Sequence, residues 1–171
     1  MRREAVELVS IEGREVHVTH PDKLYFSRQT KLSKLDIVRY YLSVAPSALT
    51  GIRDRPLVLK RFVNGAEGEA FYQKRVPTER PPWLRTVTLA FPSGRTAEEI
   101  VVDDAAGLAW TINLGGIELH PHPVRFGDLD HPDELRVVSI QALASAGRTC
   151  GRSRSRRKML RSKASSTASR M

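Results

Sequence analysis

The chain has a single cysteine, Cys150, so it can form no internal disulfide and cannot build a zinc site from thiolates. No uninterrupted apolar run approaches the ~20 residues that span a bilayer. The opening residues, Met1-Arg2-Arg3-Glu4-Ala5-Val6-Glu7-Leu8, hold charges but no apolar signal core. A membrane partner is therefore not expected, and a cytoplasmic location is. There is no glycine loop followed by the lysine and hydroxyl of a P-loop, and no Gly-x-Ser-x-Gly elbow. Internal repeats are absent too. One further absence is positional: no Asp or Glu follows Glu134.

That last absence governs how the charge is read. The 171 residues are 40% hydrophobic and 27% charged, which suits one globular domain. The net charge of +9 points to nucleic acid. Ten of the 28 Lys+Arg lie beyond Glu134, however, and none of the 19 Asp+Glu does, so residues 1–134 carry 18 against 19, a net −1. The basicity belongs to the tail. A nucleic-acid role for the patterned part must rest on individual side chains.

Along the chain, residues 5–11 and 14–19 are rich in β-branched residues around Glu12-Gly13 and predict a half-buried hairpin. His20-Pro21-Asp22-Lys23 is turn chemistry, and Leu24-Tyr25-Phe26 anchors it. A helix is predicted over 33–47, with Ser33 and Asp36 as a capping box, an apolar face from Leu35 to Ala45, and Pro46 at its end. Residues 56–63 and 70–75 predict a long hairpin. Strands over 86–91 and 99–102 precede a helix over 104–113, capped by Asp103 and ended by Gly115-Gly116. A short strand covers 117–120. Strands mixed with isolated helices, without βαβ alternation, give an α+β class.

Several side chains have chemistry to offer. If the hairpin brings Lys60-Arg61 and Lys74-Arg75 together beside Phe71 and Tyr72, the cations suit phosphates and a ring suits a base. The alternative is a solvated strand end with Phe71 in the core. His120 could donate to a phosphate or ligate a metal, or be structural. Four of the five histidines (His20, His120, His122 and His131) adjoin prolines, and turn placement explains this more simply than a metal. Asp103-Asp104 and the Asp128, Asp130, Asp133 group could hold Mg²⁺ or Mn²⁺. Capping and turn roles are favoured for both.

Taken in order, His20-Pro21-Asp22-Lys23, Thr30-Lys31, Arg55-Pro56-Leu57 through Lys60-Arg61, Phe71-Tyr72-Gln73-Lys74-Arg75 and Val102-Asp103-Asp104 form a recognisable series. It continues through Asn113-Leu114-Gly115, Glu118-Leu119-His120-Pro121 and Asp128-Leu129-Asp130-His131-Pro132-Asp133. The series resembles the primase–polymerase domain of bacterial DNA ligase D, over residues from about 5 to 137. The resemblance implies that Lys60, with Arg61 beside it, and His120 contact the phosphates of an incoming nucleotide. It implies that Phe71 and Tyr72 pack against the template base, and that Lys23 and Lys31 bind a 5′-phosphate at a DNA end. In the intact family it also implies Mn²⁺ or Mg²⁺ with NTP or dNTP, a ligase domain, and the Ku end-binding protein as partner.

The series departs from the family at Val138. The family continues after the position of Val137 as Asp-Leu-Asp-Pro-Gly, whose aspartates hold the catalytic metals. Here the residues are Val138-Ser139-Ile140-Gln141-Ala142. Loss of one base from codons for Val-Asp-Leu-Asp-Pro-Gly yields this sequence, and plausible codons for the tail, shifted back, yield a family-like continuation. The expectation is therefore an N-terminal part of a primase–polymerase-like domain over 1–137, with mixed or antiparallel strands and isolated helices. A disordered basic tail from a frameshift would follow over 138–171. No catalytic residue is retained, no metal or cofactor is held by this chain, and no polymerase activity is expected. A sheet cut midway should also fold poorly. The alternative reading is a non-catalytic module that binds DNA ends through Lys23 and Lys31.

Overall fold

The computed structural model describes residues 5–136. The chain divides into units Met1–Val137 and Val138–Met171. The predicted tail lies outside the described residues.

β1 (Val6–Ile11) and β2 (Arg14–Thr19) pair antiparallel across Glu12 and Gly13, whose φ values of 51° and 80° give the turn that matches strand twist. Val16 and Val18 turn inward, while Val6 and Leu8 lie outward. β3 (Leu24–Phe26) pairs with a two-residue β4 (Leu32–Ser33), a strand too short for periodicity to reveal. Ser33 then caps α1 (Lys34–Ser43) through the predicted box with Asp36.

Pro46 does not end helical structure. α1 stops at Ser43, and α2 (Ala45–Ile52) starts with that proline in its first turn, where its missing N–H costs no ladder bond. The third helix, α3 (Ala105–Asn113), is capped by Asp104 rather than Asp103, with its carboxylate accepting from Gly107 N at 2.7 Å. Gly115 leaves the helix at φ 85°, a conformation that suits glycine, and a Cβ there would meet the Tyr25 hydroxyl.

β5 (Arg55–Arg61) is the centre of a five-stranded sheet. Along one edge, its first residues pair with β8 (Thr96–Val102) and its last with β6 (Phe71–Gln73). Along the other it pairs with β9 (Gly116–Pro121), and β7 (Thr86–Ala90) flanks β8. Every pairing among the described strands is antiparallel. Leu57, Leu59, Ile100 and Val102 share one sheet face and form a core with Val38, Leu108 and Ile112 of the helices. Fully burying one such aliphatic side chain contributes about 1.5–3 kcal/mol. With helices on one face of an antiparallel sheet, the class is α+β as expected.

Candidate nucleic-acid interface

Successive residues of a strand point to opposite faces. Lys60 and Arg61, adjacent in sequence, are therefore separated by the sheet itself. Lys60 pairs with Tyr72 and Glu118, and Val58 with His120, which puts all of them on the open face. Arg61 pairs with Phe71, on the face that carries Leu57 and Leu59.

The predicted gathering of four cations does not occur. In an antiparallel hairpin the end of β5 meets the start of β6, so Lys60 and Arg61 lie opposite Tyr72 and Phe71, while Lys74 and Arg75 fall beyond the far end of β6. There Lys74 lies 5.3 Å from the Phe91 ring centroid, and Arg75 donates to Thr96 O at 2.7 Å. Both are drawn to the β7–β8 turn.

On the Arg61 face a cavity of about 690 Å³ opens between the β1–β2 hairpin, the start of α1, and the end of α3. Lys23, Lys34, Arg61 and Arg80 line it, with His17, and Glu79 is the one acid in the lining. Lys34 is the first residue of α1, set by the capping box immediately before it. It is only 6% exposed, and its ammonium donates to Thr19 O at 2.8 Å and to Thr19 Oγ1 at 3.0 Å. No carboxylate pairs with it among the described residues. Burial lowers its pKa to about 8, with Lys23 and Arg61 adding repulsion. Lys23 donates to Val63 O at 2.7 Å. Arg61 donates to Leu114 O at 2.6 Å and to Gln73, and lies 5.4 Å from the centroid of Phe71. Burial lowers the Arg61 pKa, against the Tyr25 hydroxyl, which raises it. A concave site with several like-charged donors suits an anion, although Arg80 is already paired with Glu98 at 2.7 Å.

The open face differs. Lys60 Nζ donates to Glu118 Oε1 at 2.8 Å, and that bond raises its pKa. His120 Nε2 lies 3.7 Å from the other oxygen of the same carboxylate. The Tyr72 ring meets the His120 ring edge-on at 5.4 Å. Lys60, His120 and Tyr72 thus form one surface, which Phe71 does not join. Lys31 is exposed between β3 and β4 and does not line the cavity.

The acidic groups have structural partners. Asp104 caps α3 and meets Arg14, and Asp103 meets Arg85 at 3.0 Å. Asp128 contacts His131 at 2.9 Å. Asp133 accepts two bonds from Arg55, whose side chain is 1% exposed, and Glu134 accepts a third. Hydrogen bonds from Arg55 and Arg125 hold the Asp133 pKa down at about 2. Among the described residues no three His, Cys, Asp or Glu side chains gather where a metal could sit. Among the described residues, Asp103, Asp104, Asp128 and Asp133 already answer arginines or a histidine, which favours the capping and turn roles.

Sequence reasoning passed over Lys34 and Glu118. A lysine at the first position of a helix carries no periodic signal. Its importance comes from burial against Thr19, fifteen residues away. Glu118 could have been found: two residues before His120 on a strand, it must share that histidine's face.

Comparison with known proteins gives a consistent result. The family described as "LigD, primase-polymerase domain" matches residues 33–137. The multifunctional non-homologous end joining DNA repair protein LigD of Mycobacterium tuberculosis is 38% identical over 135 residues, covering 75% of this chain and 18% of that protein. LigD of Mycolicibacterium smegmatis is 34% identical over 123 residues, covering 72% and 16% respectively. The chain thus spans less than a fifth of the length of these relatives. A solved structure, the polymerase domain from Mycobacterium tuberculosis Ligase D in complex with DNA, superposes with a TM-score of 0.60 at 37% identity, covering 64% of this chain and 38% of that one.

Proposed function

The chain belongs to the LigD primase–polymerase family, and on that premise we propose that it recognises DNA ends carrying a 5′-phosphate but does not add nucleotides to them. The observation that carries this reading is the cavity that holds Lys23, Lys34 and Arg61 together. A terminal phosphate monoester is a compact dianion and would replace the water that the buried Lys34 ammonium has lost. Charge-assisted hydrogen bonds of this kind are among the stronger ones. Lys34 takes the place that the resemblance gave to Lys31, because it lines the cavity and Lys31 does not. A related domain solved with DNA supports DNA as the partner class. With such a partner, a cytoplasmic location is the reading we propose.

The open face is the nucleotide-facing surface. Lys60 and His120 meet a polyphosphate there, and Tyr72 offers its ring to a base. Nucleotidyl transfer further requires carboxylates that hold two metal ions against the attacking and leaving oxygens. The family supplies them just after the position of Val137, where this chain has Val138-Ser139-Ile140-Gln141-Ala142. The family match ends at Val137, which supports a break in the pattern at that point. Arg136 donates to Pro121 O, so the described residues end beside the strand that carries His120. Neither a hydroxyl, an amide nor an aliphatic side chain replaces a carboxylate pair. Whole relatives, with a ligase domain and Ku, would carry out end joining in full.

Two measurements test this reading. In a template-dependent extension assay with Mn²⁺ the chain gives no product, and robust extension would refute the loss of catalysis. Resequencing the gene across the codons for Arg136 to Gln141 tests the frameshift. A recovered base would restore the aspartate pair and return the product to the active polymerases.

A further inference from the structure

Glu99 lies on β8 with its side chain 0% exposed. Its Oε2 is 2.9 Å from His122 Nε2, and its Oε1 has no hydrogen-bond partner among the described residues. A buried carboxylate with one oxygen unanswered among the described residues is costly, so its presence calls for a reason. The reason lies in the end of β9. There the sequence runs His120-Pro121-His122-Pro123, beside Pro56 of β5. Prolines have no N–H to give to a ladder. His122 supplies the one backbone donor of the stretch 121–123, to Pro56 O at 2.9 Å. The strand that presents His120 is thus short of backbone bonds where its aim is set. The Glu99–His122 contact supplies a side-chain bond in their place, and it anchors the residue two positions beyond His120 to β8, across the intervening β5.

We propose that Glu99 is a positioning residue for His120, acting through His122 to fix the phosphate-facing imidazole beside Lys60 and Tyr72. This rests on the reading of the open face as the nucleotide surface. The DNA-end cavity lies on the other face of the sheet and reports separately on the fold.

The test is a double-mutant cycle with ATP as the probe and a 5′-phosphorylated DNA end as the control ligand. Glu99→Leu, which removes the buried carboxyl group and keeps an apolar fill, weakens ATP binding about fivefold and leaves 5′-phosphate recognition unchanged. Glu99→Gln, which can still bond to a neutral imidazole, restores affinity to within about twofold. In a His120→Ala background, Glu99→Leu causes no further loss. An undiminished loss in that background overturns the proposal, as does unaltered ATP binding in the Glu99→Leu single variant. If His120→Ala alone leaves ATP binding intact, the nucleotide reading falls and the proposal with it. Should Glu99→Leu lose both ligands, the same cycle run with His122→Ala at a partly exposed position decides the matter by the same criteria.

Discussion

Lys34 and Lys60 stand on opposite sides of one sheet, and their surroundings differ in kind. Lys34 is buried, has neutral oxygen partners, and has its pKa lowered to about 8. Lys60 is partly exposed, has a carboxylate partner, and has its pKa raised by it. The first lysine is charged at a cost that an added anion relieves. The second already has an anion, Glu118, in the place where a ligand phosphate would bind. The cavity is thus poised to bind, and the open face is occupied by its own counter-charge. An ion pair at an exposed site contributes about 0–1 kcal/mol, whereas a desolvated cation beside other cations makes a larger difference to an incoming dianion. Of the two proposed binding functions, recognition of the DNA end should therefore be the stronger.

The largest effect separates the two regions through stability. Arg55, buried at the entrance of β5, holds Asp133 and Glu134 and so ties the segment after β9 to the sheet. Arg55→Met should destabilise the fold by about 3 kcal/mol in denaturant unfolding through loss of its carboxylate bonds, at the low end for a broken buried pair because the freed carboxylates are partly exposed and can reach water. In the fraction that stays folded, ATP binding at the open face should fall and 5′-phosphate recognition should not. The pH dependence of this latch has a definite sign. The Asp133 pKa is depressed, so the stabilisation is present above the ordinary aspartate value of about 3.9 and is lost as pH falls through about 2.

The next effect is on the cavity alone. Lys34→Met should reduce affinity for a 5′-phosphorylated end at least tenfold, on the order of 1.4 kcal/mol, with thermal stability of the free chain held or raised. The opposite signs are the point, since a merely structural lysine would lower both. A smaller effect comes with pH. As pH rises from 7 to 9, Lys34 loses its proton, and 5′-phosphate affinity should fall about fivefold in a fluorescence titration. The free chain should instead gain stability between about 8 and the ordinary lysine value of about 10.4, because the unfolded state keeps the proton longer. The smallest effect is at the open face. Glu118→Gln should tighten ATP binding about twofold and leave the cavity unmoved. Weaker ATP binding would show that Glu118 holds Lys60 in place rather than competing for it.

The parts of the fold that were legible in the sequence were local. The hairpin at Glu12-Gly13, the capping box of Ser33 and Asp36, the paired strands around β5, and the glycine exit from α3 each have a cause within a few residues. Pro46 was misread because proline marks helix starts as readily as ends. Among the site residues, Lys60, Tyr72 and His120 come together because strand pairing alone sets them side by side. Arg61 and Phe71 do not join them, a consequence of strand alternation that was available beforehand. Lys34 and Glu99 depend on contacts with distant parts of the chain, to Thr19 and His122, and nothing local announces them.

The central claim is that one face of this sheet retains a receptor for a 5′-phosphate. The direct measurement is the affinity of the chain for two recessed DNA duplexes that differ only in whether the 5′ end carries phosphate or hydroxyl, taken at several salt concentrations. The account predicts at least a tenfold preference for the phosphorylated end, retained as salt rises and erased in Lys34→Met. Equal affinity for both ends, falling together with salt, would mean that binding is nonspecific backbone attraction and would contradict it.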